Sequence, residues 1–146
     1  MADLYLLTRI FLFTISVPAL LRLNLSRLQW VLEPGELPAP IDPARVKKIT
    51  RYVNLVMNAG MPFVRPGCLT RGVTLYYFLK RSGVDLSLSF GLGKVDGQYA
   101  GHCWLTMDGM PYLERCDPRP FFTEILSIPL RRPVAGQVLP KSLSRI

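Results

Sequence analysis

The chain has 146 residues, of which 49% are hydrophobic, and 18 basic against 10 acidic residues give it a formal net charge of +8. This length suits a single domain with at most a terminal extension, and the apolar fraction excludes a mainly disordered chain. The basic residues are scattered in pairs such as Lys47-Lys48, and the sequence contains no long basic run, zinc-finger pattern or RNA-binding aromatic motif. We therefore expect no nucleic-acid partner.

The first predicted element is an apolar, helix-favouring stretch from Leu4 to Leu32, which Pro18 interrupts. Its longest uncharged run, from Ile10 to Leu21, is shorter than the ~20 residues that a membrane-spanning helix needs. We predict two core or interface helices split near Pro18. Peripheral membrane contact, or a signal sequence or anchor, are the alternatives.

A proline-rich linker, Glu33 to Pro43, follows this stretch and cannot form a regular element. We therefore divide the chain into an N-terminal hydrophobic helical segment with its linker, residues 1–42, and a main domain, residues 43–146. The main domain opens with a predicted helix from Pro43 to Asn58, for which Asp42 is the expected N-cap.

A second predicted helix runs from Cys68 to Arg81, after a loop from Ala59 to Gly67. Three predicted strands follow it. They span Asp85 to Leu92, His102 to Met107 and Met110 to Cys116, with a polar turn from Lys94 to Ala100 and a hairpin turn at Asp108-Gly109. In the first strand, apolar residues alternate with Ser87 and Ser89, which predicts that one face meets solvent. The chain from Asp117 onward gives a weaker signal. Helices followed by an antiparallel sheet predict an α+β fold.

Cys68 is the candidate nucleophile because it stands where a loop becomes a helix. The free N–H groups and the dipole of a helix N-terminus favour the thiolate, which is the nucleophilic form of cysteine, and they can also bind an oxyanion. Taken alone, Cys68 also fits a small buried hydrophobic residue. His102, the only histidine of the chain, is the residue best suited to act as its base.

A third group usually orients the base of such a site. A three-residue loop, Met107-Asp108-Gly109, would set His102 directly opposite Glu114, whereas a two-residue turn would set it opposite Arg115. We predict the three-residue loop and Glu114 as the acid, with Asp117 as the second choice.

No cofactor or metal is expected. Cys68, His102, Cys103 and Cys116 are enough to hold zinc, but their spacing contains no C-x-x-C pair, and neighbours on a strand point to opposite faces. An odd number of cysteines, irregularly spaced, indicates a reducing cytoplasm rather than a disulfide framework. The predicted location is therefore the cytoplasm, with membrane association of the N-terminal segment left open.

Taken in order, several segments resemble the transglutaminase-like leader peptidases of lasso-peptide biosynthesis. The family pattern is a C-L-x-R helix start, an L-L-x-R-x-G helix end, a G-V strand and an H-A-W-V-E-x-D-G hairpin. The matching segments are Cys68-Leu69-Thr70-Arg71, Leu79-Lys80-Arg81-Ser82-Gly83-Val84, Phe90-Gly91-Leu92-Gly93, His102-Cys103-Trp104-Leu105 and Asp108-Gly109. The resemblance extends from about Cys68 to Pro120.

The resemblance implies a transglutaminase-like, papain-like cysteine protease core and a cysteine peptidase that removes the leader from a ribosomally synthesised precursor peptide. By position, it implies Cys68 as nucleophile, His102 as base and Glu114 as acid. Three residues depart from the family pattern: Glu114 replaces an Asp, Cys103 an Ala and Thr106 a Glu.

The resemblance also implies partners. Some members carry an N-terminal leader-recognition domain where this chain has a hydrophobic helical segment, so a separate small recognition protein and an ATP-dependent cyclase are expected. Two other functions fit the same residues. One is another acyl transfer through a thioester, such as amidation or deamidation of a Gln side chain. The other is a non-catalytic partner-binding domain on the same fold.

Overall fold

The computed structural model describes residues 2–35, 40–60, 64 and 67–130. They form four helices and a four-stranded antiparallel sheet with strand order β3-β2-β1-β4, which confirms the predicted α+β class. Parts of the predicted linker and of the loop before Cys68, and the chain beyond residue 130, lie outside the described residues. The elements are α1 (Ala2–Leu20), α2 (Leu25–Leu32), α3 (Pro43–Asn58), α4 (Cys68–Lys80), β1 (Ser87–Val95), β2 (Gln98–Met107), β3 (Met110–Tyr112) and β4 (Phe122–Ile128).

The N-terminal stretch forms two helices, as predicted, but Pro18 lies inside α1 and the break comes a few residues later. Proline has no N–H, so α1 lacks one helical hydrogen bond in its last turn. Helix α2 begins after its N-cap, Asn24, whose side-chain oxygen accepts a 3.0 Å hydrogen bond from the Arg27 N–H.

Helix α1 packs against α3 and α4 through Ile10, Thr14 and Val17, which are buried. The opposite side exposes large apolar residues such as Leu4 and Leu12. Within the described part of the chain, α1 is the one helix long and apolar enough to cross a membrane, a test that core helices and signal sequences also pass. The division of the chain at residue 42 stays a prediction.

Helix α3 has its predicted bounds and cap. The Asp42 carboxylate accepts a 2.9 Å hydrogen bond from the Ala44 N–H, and Ile49, Val53 and Val56 are buried at helical spacing. Helix α4 lies at the centre of the molecule, between the other helices and the sheet, and is buried over nearly all of its length after the first turn.

The β2–β3 hairpin closes with a two-residue turn, so the predicted three-residue loop is wrong. Met107 pairs with Met110, and Asp108 and Gly109 have φ angles of 51° and 78°. Type I′ turns require left-handed backbone at both central residues, and an Asp-Gly pair tolerates it. Strand β3 ends at Tyr112 rather than at the predicted Cys116, because Leu113 also takes a left-handed conformation, with φ 59°.

The sheet is larger than predicted. The β1–β2 hairpin continues through residues expected to form a polar turn and closes at Asp96-Gly97, and β4 adds a strand that pairs with β1. Ser89, predicted to face solvent, is buried and lies 3.0 Å from the Thr106 hydroxyl. Both faces of β1 are therefore covered in its first half, where a strand with one solvated face was expected.

Candidate active site

Cys68 is the first residue of α4, and its side chain is exposed. Gly67, the N-cap, is extended with φ 171°, and among the described residues no side chain caps this end of the helix. Such a helix end stabilises an anion, whether a thiolate or the oxyanion of an intermediate.

Strand β2 lies against α4 one turn beyond Cys68. A Cβ added at Gly72 would lie 2.9 Å from the Cys103 sulfur, so the strand approaches the helix as closely as a glycine allows. Burial raises the pKa of the Cys103 thiol well above its ordinary value, and the negative charges of Cys68 and Glu114 add to that shift. The pKa of Cys103 therefore depends on both Cys68 and Glu114.

The imidazole of His102 is held between two aromatic rings, next to Cys103 in sequence. The ring centroids of Trp104 and Phe122 lie 5.9 Å and 5.1 Å from that of His102. The side chain is 25% exposed, so the ring is ordered by packing and still reaches solvent. These contacts fix the plane of the imidazole.

Two glycines on β1 make room for the aromatic rings. A Cβ at Gly91 would lie 2.7 Å from the Trp104 ring, and a Cβ at Gly93 would lie 2.9 Å from the Phe122 ring and 2.0 Å from the Phe121 carbonyl. Sequence reasoning missed Phe122 together with β4. The sequence signal for this packing is the pair Gly91 and Gly93. Glycines two residues apart in a strand indicate that another group approaches one face closely.

Glu114 lies beside His102, with 3.6 Å between the Glu114 Oε2 and His102 Nε2 atoms. The predicted register does not produce this contact, because the observed one would continue to Arg115 opposite His102. The left-handed Leu113 turns the chain out of β3 and brings Glu114 to the imidazole instead. Because Nε2 faces the carboxylate, Nδ1 is the nitrogen left to exchange a proton with a thiol.

Arg71 connects this acid to α4 and α3. Its Nη1 lies 3.4 Å from Glu114 Oε1, its Nη2 donates to the Leu113 carbonyl at 3.0 Å, and its Nε donates to Asn54 Oδ1 at 3.2 Å. The two oxygens of Glu114 are thus divided between Arg71 and His102. Sequence reasoning gave Arg71 no role, although it closes the C-L-x-R motif one helical turn after Cys68.

Asp117, the second choice for the acid, is engaged elsewhere. Its carboxylate accepts hydrogen bonds from Arg119 at 2.6–3.0 Å, and these hold the pKa of Asp117 below its usual range. Among the described residues no hydrogen bond or ion pair joins it to His102. The same residues contain no group of three or more His, Cys, Asp or Glu side chains placed to hold a metal ion.

The described geometry brings His102, Glu114 and Arg71 together beside the helix turn that Cys68 opens. Within the described part of the chain no hydrogen bond joins the Cys68 thiol to His102. Cys103 faces α4, so its neighbour His102 starts from the other face of β2, and its imidazole meets Glu114. An exposed thiol at a helix N-terminus, and an imidazole beside a carboxylate, are the kinds of group that cysteine-protease-like enzymes use.

The comparison with protein families agrees with this class. The model of the Transglutaminase-like superfamily matches residues 13–127, which is most of the chain, and the chain therefore belongs to that superfamily. Its members are generally cysteine-protease-like enzymes. Nothing matches significantly among curated proteins or solved structures.

Proposed function

We propose that this protein is a cysteine peptidase that removes the leader from a ribosomally synthesised precursor peptide, using Cys68, His102 and Glu114. The observation that carries the proposal is the division of the Glu114 carboxylate between His102 and Arg71, beside the exposed N-terminus of α4.

In the proposed reaction, the Cys68 sulfur attacks the carbonyl carbon of the scissile peptide bond, and the thiol proton passes to Nδ1 of His102. The negative oxygen of the tetrahedral intermediate meets the first N–H groups of α4. When the intermediate collapses, the C–N bond breaks, the departing amine takes the proton from His102, and a thioester remains. Water, deprotonated by His102, then hydrolyses the thioester.

Glu114 has an orienting and electrostatic task in this sequence. Its carboxylate faces Nε2, so it stabilises the imidazolium that forms after proton transfer and keeps Nδ1 directed away from itself. The Arg71 guanidinium, 3.4 Å from Glu114 Oε1, limits the movement of the carboxylate.

The choice of a precursor peptide as substrate is supported by the resemblance between Cys68 and Pro120. A separate small leader-recognition protein and an ATP-dependent cyclase belong to the same proposal as partners. Amidation or deamidation of a Gln side chain would pass through the same thioester and is distinguished by its products.

The first test is alkylation by iodoacetamide at about pH 6, where an ordinary thiol with a pKa of about 8.5 is almost wholly protonated. Cys116 is an exposed thiol in the same chain and serves as the internal control. We expect Cys68 to react at least ~10-fold faster than Cys116, and His102→Ala to remove the difference. Equal rates for the two thiols would leave the catalytic proposal without its physical basis.

The second test is mass spectrometry of a proteome-derived peptide library incubated with the native chain and with Cys68→Ala. New N-termini that depend on Cys68 support a peptidase. Mass changes confined to Gln side chains would show amidation or deamidation instead. Unchanged peptides together with an unreactive Cys68 would favour a binding domain.

A further inference from the structure

A groove of about 750 Å³ lies between α3 and the β2–β3 hairpin. Its walls are mainly apolar, formed by Val46 on α3, Met107 on β2, and Tyr112 and Leu113 at the end of β3. All four side chains are only partly buried, so the groove presents apolar surface to solvent. Binding clefts commonly have volumes of ~300–1,000 Å³ and mostly apolar walls.

The rim of the groove on α3 is cationic. Lys47 and Arg51 lie one helical turn apart on this wall and are exposed. Among the described residues neither forms an ion pair or a hydrogen bond, whereas the neighbouring Lys48 pairs with Asp3 at 2.7 Å on another face. Two unpaired cations above an apolar floor complement a ligand that is apolar and negatively charged.

The groove leads to the candidate active site. Asn54 and Leu113 line it, and both accept hydrogen bonds from Arg71, the residue that also pairs with Glu114. A chain lying in the groove therefore reaches the Arg71–Glu114 pair at one end, next to the first turn of α4. This continuity ties the groove to the reaction rather than to an unrelated surface.

We infer that this groove binds an apolar segment of the substrate polypeptide that carries Asp or Glu side chains, and that it directs the adjoining peptide bond to Cys68. The inference rests on the proposed function. The apolar side chains occupy the floor beside Val46 and Met107, and the carboxylates pair with Lys47 and Arg51. The groove thus selects acidic, apolar sequences near the cleavage site.

The test uses the full chain with Cys68→Ala and fluorescence polarisation of short labelled peptides, so binding is measured without chemistry. The probes contain leucine and glutamate spaced by glycine, a second version with lysine in place of glutamate, and a third with serine in place of leucine. We expect the leucine–glutamate peptide to bind at least ~10-fold more tightly than either of the others.

Two pairs of matched variants locate the binding. Lys47→Glu/Arg51→Glu should weaken binding by about tenfold, whereas Arg27→Glu/Arg45→Glu, with the same change of net charge, should change it less than about twofold. Ile41 lines the groove and Leu55 does not, and their exposures are similar at 54% and 55%. Ile41→Ser should therefore weaken binding about fivefold, and Leu55→Ser should leave it unchanged.

The inference is overturned if the leucine–glutamate peptide does not bind, if the three probes bind alike, or if the groove variants and their controls lose the same affinity. Because these proteins lack Cys68, the result is separate from the iodoacetamide test. Binding with an unreactive Cys68 would refute the peptidase and keep the groove as a docking site, and a reactive Cys68 without binding would refute the groove alone.

Discussion

The first turn of α4 differs sharply from the rest of the same helix. Cys68 is exposed and Arg71 is half-buried in polar contacts, whereas the following turns are buried almost completely against β2 and the other helices. One rigid helix therefore carries both a packed segment and an exposed end that bears a thiol, and such a support gives a site a fixed geometry. Two thiols report on the two regions: Cys68 on the exposed end, and Cys103 on the packed interface.

The largest effect is expected from exchanging these thiols for alanine. Cys68→Ala should lower the rate of peptide cleavage by at least ~10³-fold because it removes the proposed nucleophile. It should change the free energy of unfolding by less than about 0.5 kcal/mol because the side chain is exposed. Cleavage of the peptide library and urea denaturation measure the two quantities.

Cys103→Ala should show the opposite behaviour. The buried side chain contributes packing, so we expect a loss of about 1–2 kcal/mol in the free energy of unfolding and a cleavage rate within about threefold of the native chain. If both variants lost activity to the same extent, the functional difference between the two regions of α4 would disappear.

The second prediction concerns Arg71, which links the exposed turn to Glu114. Arg71→Gln should lower kcat by about 10–100-fold with little change in KM, because Glu114 loses the group that holds it against His102. Arg71→Lys should recover part of the loss, because it restores the charge but not the hydrogen bonds to Asn54 and Leu113.

Asn54→Ala provides a graded control for this experiment, since it removes one of the three partners of Arg71 and leaves Glu114 in place. We expect a reduction of only a few-fold in kcat. Equal losses of kcat for Asn54→Ala and Arg71→Gln, matched by equal losses of stability, would show that Arg71 has a purely structural role.

Much of the fold could be predicted from local patterns. The spacing of Ile49, Val53 and Val56, with Asp42 as cap, determines α3, and the Asp-Gly turn places a hairpin after β2. Strand β4 could not be predicted, because its residues form a strand only through pairing with β1. Ser89 is buried although it is polar, and its hydroxyl lies 3.0 Å from that of Thr106 on β2.

The site was predictable in part for a similar reason. Residue type and position suggest Cys68 and His102, but the contact of His102 with Glu114 depends on one left-handed residue, Leu113, and not on the predicted register. Arg71 and Phe122 reach the site from elements far apart in sequence. Such long-range contacts follow from how α4, β2 and β4 pack, which no local pattern specifies.

The third prediction tests how tightly the packed region of α4 is filled. Gly72→Ala places a Cβ 2.9 Å from the Cys103 sulfur and 3.3 Å from Leu88 Cδ1. The crowding should cost about 1–3 kcal/mol, offset by up to ~1 kcal/mol from the better helix propensity of alanine. We expect the free energy of unfolding, measured by urea denaturation, to fall by about 1–2 kcal/mol.

Removing the sulfur should reverse most of this loss. In a Cys103→Ala background, Gly72→Ala should cost at least about 1 kcal/mol less than it does alone, a coupling that a double-mutant cycle measures directly. If the two substitutions were simply additive, the contact between Gly72 and Cys103 would not limit the packing of α4 on β2.

The smallest predicted effect is on the pH dependence of stability, and it again separates the two thiols. Burial raises the pKa of Cys103 in the folded protein. The unfolded chain therefore releases this proton above about pH 8.5 while the folded chain keeps it. Because the unfolded state then binds fewer protons, the free energy of unfolding falls as pH rises, by up to ~1.4 kcal/mol per pH unit. Below about pH 8 the Cys103 thiol is protonated in both states and does not change the free energy of unfolding with pH.

Tyr76 also has a pKa raised by burial and adds to the slope at high pH, so the informative quantity is the difference between the native chain and Cys103→Ala. Between about pH 8 and pH 10, the native chain should lose ~1–2 kcal/mol more than the variant. If the free energy of unfolding fell equally with pH in the native chain and in Cys103→Ala, the Cys103 thiol would ionise as easily in the folded protein as in the unfolded one. The interface between α4 and β2 would then be open to solvent, and the contrast between the two ends of α4 would no longer hold.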